Sequence, residues 1–200
     1  MSELPTNPTT PANRPAFDFL MSRRSRPYKS LKTPVPGDAT LQEILIAAAR
    51  VPDHGKLEPW RFIVLRQKAM ARLAELAVEI GWNRGKAAQD IEKMKVQLEM
   101  ALLAVAVVES PVASEKIPDI EQTYSAGAAT LSLLNAALAS GWGANWLSGW
   151  ASHDREFCER GLGLLPHERL AGFVHLGTAS AVPPERPRPD VSQITTWVDT

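Results

Sequence analysis

Arg50-Val-Pro-Asp-His-Gly-Lys-Leu-Glu-Pro-Trp-Arg-Phe-Ile-Val-Leu65 carries the chain from the end of a helix, through an irregular loop, into a strand. Pro52 disfavours helical geometry at Val51, so the preceding helix must stop there. Two prolines and a glycine then fix a loop of the kind on which sites are mounted. Trp60 to Leu65 is rich in β-branched and aromatic residues and reads as a strand.

Working outward, Thr40-Leu-Gln-Glu43 has the spacing of a capping box and predicts the start of that preceding helix, with Leu41, Ile44, Leu45 and Ala48 as its apolar stripe. Further upstream, Phe17 to Arg24 reads as a short helix with arginines at its C-terminal end, where they suit the helix dipole. Met1 to Pro15 is polar and proline-rich and reads as a disordered arm; it has no apolar core of a secretory signal.

Downstream, a helix is predicted from Lys68 to Ile80, broken by Gly81-Trp-Asn-Arg-Gly85, and a charged amphipathic helix over Ala87 to Met100. Leu102 to Val108 is a continuous apolar run, the pattern of a strand buried on both faces. A long helix from Ile120 to Ser140 carries many small residues; its polar interruptions favour a core helix over a membrane span. Gly141 to Trp150 predicts a short strand and turn, whose three indoles (Trp142, Trp146 and Trp150) could share one side, although core packing is the simpler reading for Trp142 and Trp150. Ser152 is a candidate cap for a helix ending near Gly161, and Leu170 to Gly177 is the last strand. Helices and strands mix without regular βαβ alternation, which predicts an α+β fold, three-layered around a central sheet. One domain over residues 16–200 follows from the length and the lack of a linker.

Lysine plus arginine, 22, balances aspartate plus glutamate, also 22, which argues against a dedicated nucleic-acid surface. The single cysteine, Cys158, cannot pair within the chain and suits a reducing cytoplasm; it reads as a structural thiol before a nucleophile. His54 lies in the loop, but no second histidine or cysteine stands at metal-ligand spacing, and a lone loop histidine is more often a surface group than a catalyst. Arg23-Arg24-Ser25-Arg26 offers forked, charge-assisted hydrogen bonds that suit a phosphate, although taken alone such a run is more often a solvated basic surface. No dinucleotide fingerprint, P-loop or nucleophile elbow is present.

The ordered set Ser22-Arg-Arg-Ser25, Arg50-Val-Pro-Asp-His-Gly55, Glu58-Pro-Trp-Arg-Phe62, Tyr124-Ser-Ala-Gly-Ala128, Gly141 to Gly149 and Gly172-Phe-Val-His-Leu-Gly-Thr178 resembles the nitroreductase family, most closely its small YdjA-like branch. That resemblance implies a mostly antiparallel sheet flanked by helices in an intertwined homodimer, with one FMN at each of two subunit interfaces and the C-terminal tail packed on the partner. It implies NADH or NADPH as electron donor, a small acceptor such as a nitroaromatic or quinone, and no membrane or nucleic-acid partner. By the same resemblance, Arg23, Arg24 and Ser25 hold the phosphate and ribityl region, and Arg50 and His54 reach the flavin of the other subunit. Trp146, Leu147 and Ser148 pass beside the ring, and Arg188, with Arg186, closes on the phosphate. The chemistry is the cofactor's, and no side chain is assigned as catalytic. Two departures stand out: Leu147 replaces an arginine of close relatives, and Lys56, Leu57 and Glu58 replace the Asn and Gln that many members carry before Pro-Trp. A flavin store or sensor, or a flavin-free interaction dimer on the same scaffold, are the competing readings.

Overall fold

Leu103–Glu109 is buried at every position, because it forms the middle of the sheet with a layer of helices on each face. The computed structural model describes residues 11–200. Its elements are α1 (Arg14–Ser22), β1 (Leu31–Lys32), α2 (Asp38–Ala48), β2 (Trp60–Arg66), α3 (Gln67–Asn83), α4 (Ala88–Glu99), β3 (Leu103–Glu109), α5 (Asp119–Ala139), β4 (Gly143–Leu147), α6 (Arg155–Leu162) and β5 (Arg169–Ala179). Strand β3 pairs β2 on one side and β5 on the other; the far edge of β5 carries β4 and then β1, and every pairing is antiparallel.

Alternate side chains of β3 divide the core. Ala104, Ala106 and Val108 pack with α3, α4 and α6, whereas Leu103, Val105 and Val107 pack with α2 and α5. The three-layer α+β arrangement expected from the sequence is therefore present. Cys158 is buried within the first of these clusters, where burial pushes its thiol up to about 11, so it is a structural group.

Several local expectations fail, each for a physical reason. Thr40 does not cap α2; the helix starts at Asp38, with Gly37 as the cap residue and no side-chain capping bond. Gly81 does not break α3. It is buried inside the helix, where a Cβ would lie 2.8 Å from Ile91 Cγ1, so close packing against α4 requires the glycine and overrides its low helix propensity. Asp154, not Ser152, caps α6 by accepting from Phe157 N. The three indoles do not share a side: Trp142 packs with the α2/α5 layer, Trp150 with the α3/α4/α6 layer, and Trp146 stays partly exposed. The arm expected over residues 1–15 lies outside the described residues up to Thr10, and its end is shorter than expected, because α1 begins at Arg14 with Asn13 as its cap. Among the described residues no helix is long and apolar enough to cross a membrane.

Candidate functional site

Helix α1 ends at Ser22 because Arg23 leaves helical geometry, and the next residues run back along β4, with Arg26 N donating to Ala144 O at 2.9 Å. This turn gathers Arg23, Arg24 and Arg26 into a cleft of about 310 Å3 walled by Leu138, Trp142 and Gly143. Arg23 Nη2 donates to Ser25 Oγ at 3.0 Å. Arg23 Nε, Arg24 Nε and Arg26 Nη1 are shielded from water and have no hydrogen-bond partner among the described residues. Burial first, and then the positive charges of Arg188 and Arg24, hold the Arg23 guanidinium below its ordinary value. A fold does not gather like charges and leave their donors unmet without cost. An anion with several oxygens, such as a phosphate, supplies the missing acceptors. Arg188, on the tail of the same chain, is ion-paired with Glu185 at 2.7 Å and stands near enough for its charge to be felt at Arg23.

Strand β4 leads away from the arginines. Gly143 sits in the arginine cleft, and a Cβ there would lie 2.6 Å from Leu31 Cδ2. Trp146 is anchored by its indole N–H donating to Ala171 O at 3.2 Å, Leu147 is half-buried, and Ser148 is exposed just beyond the strand. Gly143 and Ser148 are five residues apart, roughly 16 Å at about 3.3 Å per residue. Beyond Ser148, Gly149 leaves no room for a side chain, since a Cβ would lie 2.7 Å from Met94 Sδ.

The Arg50–Glu58 loop is built by its own polar groups. Asp53 accepts from Leu57 N at 3.2 Å and Glu58 N at 2.8 Å, which bends the backbone through positive φ at Gly55, Lys56 and Glu58. Ser125 on α5 donates to Pro52 O at 2.8 Å and accepts from Trp60 Nε1 at 3.0 Å, tying loop, strand and helix together. His54 Nδ1 meets Glu121 Oε2 at 2.7 Å, and Arg50 is exposed without a side-chain partner.

Within one chain these groups do not converge. His54 stands at the N-terminal end of α5 and the arginine cleft at its C-terminal end, with Arg50 beside the middle of the helix, between Ala47, whose carbonyl meets Ser132, and Pro52, whose carbonyl meets Ser125. From Glu121 to Leu138 is 17 residues of helix, roughly 25 Å at about 1.5 Å per residue. Arg23, Arg24 and Ser25 form one group with Arg188 near it, Trp146, Leu147 and Ser148 extend from it along β4, and His54 is remote, with Arg50 lying between the two ends of α5. The sequence reading held Arg26 only as a member of the basic run and gave it no role of its own, yet its orphaned nitrogen belongs to the same cleft. It also missed Lys86, Lys93 and Gln97, which line a second cavity with Ser148 and Trp150, because Lys86 just before α4 and Lys93 and Gln97 on it resemble a solvated polar face.

The Nitroreductase family model matches residues 20–178. Over 163 residues the chain is 32% identical to YdjA of Escherichia coli (strain K12), provisionally named an NAD(P)H nitroreductase, which covers 82% of this chain and 87% of that protein. Among solved structures, a nitroreductase-like family protein from Bacillus cereus matches with a TM-score of 0.76 at 20% identity, over 96% of this chain and 99% of that one. A provisionally named nitroreductase from Desulfovibrio desulfuricans, solved in complex with FMN, matches with a TM-score of 0.71 at 18% identity, over 94% and 100%.

Proposed function

Because the chain belongs to the nitroreductase family, we propose that it is an FMN-dependent oxidoreductase that takes electrons from NADH or NADPH and delivers them to a small acceptor such as a nitroaromatic or a quinone. The observation that carries this reading is the set of three buried guanidinium nitrogens without partners in the arginine cleft. Arg23, Arg24 and Arg26 would hold the FMN phosphate, with Ser25 fixed between them and Arg188 turning from Glu185 to join them. The ring would lie along β4 past Trp146 and Leu147, with the backbone at Ser148 beside its reactive edge. Bound there, FMN supplies two-electron exchange with nicotinamide and the onward reduction of the acceptor. The protein's own part is to anchor the phosphate, orient the ring and keep a slot open over it.

The remoteness of His54 from the cleft supports a homodimer in which it, with Arg50 on the same loop, serves the partner's flavin. Ile120, Tyr124 and Leu131 leave an exposed apolar stripe on α5, and Trp197 is 85% exposed in the isolated chain, so both surfaces have apolar area to bury against a second copy. The deciding experiment is a visible spectrum after FMN loading and gel filtration, followed by NADH or NADPH. Flavin bands that bleach with nicotinamide are the expected result. Bands that persist with both donors point instead to a flavin store, and a colourless protein sinks the reading.

A further inference from the structure

On the opposite face of the sheet from the arginine cleft, a cavity of about 290 Å3 opens between α4 and the Ser148–Trp150 turn. Asp90, Lys93, Met94 and Gln97 fall at the i, i+3, i+4 and i+7 positions of α4, so one helix face lines it. Gln97 is only 7% exposed, and its Nε2 has no hydrogen-bond partner among the described residues. An unmet amide donor carries a desolvation penalty that a leucine at this position would avoid. Lys93 is exposed and, among the described residues, has no carboxylate within ion-pair distance, and the Lys86 ammonium lies 4.9 Å over the Trp150 ring. Trp150 is held in place by its indole N–H, which donates to Asp90 O at 3.3 Å. The charged groups are two lysines and Asp90, so the cavity carries a net positive charge.

An apolar floor of Met94 and Trp150, an excess of positive charge and one buried, unmet donor describe a site for a flat anion. We propose that this cavity is the acceptor subsite and that it selects small aromatic acceptors bearing an anionic group, such as a carboxylate. The acceptor ring packs on Met94 and Trp150, its anionic group faces Lys93 and Lys86, and Gln97 Nε2 donates to one of its oxygens. The proposal rests on the oxidoreductase reading, which puts the flavin edge at Ser148, on the rim of this cavity.

Calorimetric titration of the FMN-loaded protein with 4-nitrobenzoate and with nitrobenzene reads the site without turnover. The carboxylate compound binds about tenfold tighter, the scale of one charge-assisted contact. Lys93→Glu abolishes that preference and leaves nitrobenzene affinity within about twofold. Gln97→Leu weakens binding of 4-nitrobenzoate while the melting temperature holds or rises; a purely structural glutamine would instead lower it. Equal affinity for the two compounds, a preference that survives Lys93→Glu, or tighter binding of adenosine 2′-phosphate than of 4-nitrobenzoate overturns the proposal. Bleaching of the flavin by NADH or NADPH is scored separately: if it persists while the anion preference is absent, only the acceptor subsite falls. An anion preference in a protein whose flavin never bleaches removes the electron-transfer reading instead.

Discussion

Arg23 stands among like charges, with Arg24 and Arg188 close enough to depress its proton affinity, and its Nε lacks an acceptor. Replacing it removes one charge-assisted contact to the phosphate, worth about 1.5–3 kcal/mol. Arg23→Ala should therefore raise the FMN dissociation constant by roughly 10- to 100-fold. Quenching of FMN fluorescence on titration reads this, and the melting temperature of the unloaded protein should not fall, since a crowded cation has gone. A second residue-scale prediction concerns acid. Burial lowers His175 from its ordinary 6.5 to about 4, so the folded chain keeps it neutral where the unfolded chain takes up a proton. Its contribution to stability is whole above pH 6.5 and is lost as the pH falls towards 4. Glu168, held down to about 2 chiefly by its hydrogen bonds with Arg61, contributes fully above about 4.5 and loses that contribution as the pH falls towards 2. The protein should lose stability in two successive acid limbs, and His175→Phe should flatten the first and spare the second. Melting temperatures from pH 7.5 down to 3 would show whether the limbs separate.

At the scale of elements, the register shift between Val107 and Val108 leaves Ala171 as the extra residue of β5, and its carbonyl receives the Trp146 indole. Gly172 beside it has φ 151°, and a Cβ there would lie 2.3 Å from Trp146 Nε1 and 3.0 Å from Leu147 O. Gly172→Ala should cost more than about 2 kcal/mol, through strain at this φ and displacement of β4, as urea denaturation would measure. These details also mark the limit of legibility. Trp60 to Leu65 and Leu102 to Val108 were readable as strands because their composition suits burial and no breaker interrupts them. Gly81 misled because propensity is local, while the contact that demands a glycine there comes from Ile91, on another helix. Thr40 misled because Gly37 and Asp38 begin the helix two residues earlier, without any side-chain cap. In the site, the run at Arg23 to Arg26 could be seen but not distinguished from a solvated patch; only the unmet nitrogens do that. Gln97 carried no signal in the sequence, because its meaning comes from the Ser148–Trp150 turn packed opposite it.

For the whole molecule, the roughly 25 Å of α5 between the His54 loop and the arginine cleft makes a single subunit insufficient for the proposed site. Co-expression can test this. Arg23→Ala homodimers and Arg50→Ala/His54→Ala homodimers should each bind flavin poorly at both sites. A heterodimer of the two should regain one tight site per dimer, because one interface then receives both intact halves, and its flavin content by absorbance gives the count. No recovery would place both halves of the site on one subunit. Strand β4 has a different consequence. It is pinned at one end by Arg26 N on Ala144 O and at the other by Trp146 on Ala171 O, with the cationic cleft before it and the acceptor cavity after it. It works as a gauge block: one added residue would lengthen the span by about 3.3 Å and turn every later side chain to the other face. What inheritance must preserve between Gly143 and Ser148 is thus a length as well as a spelling.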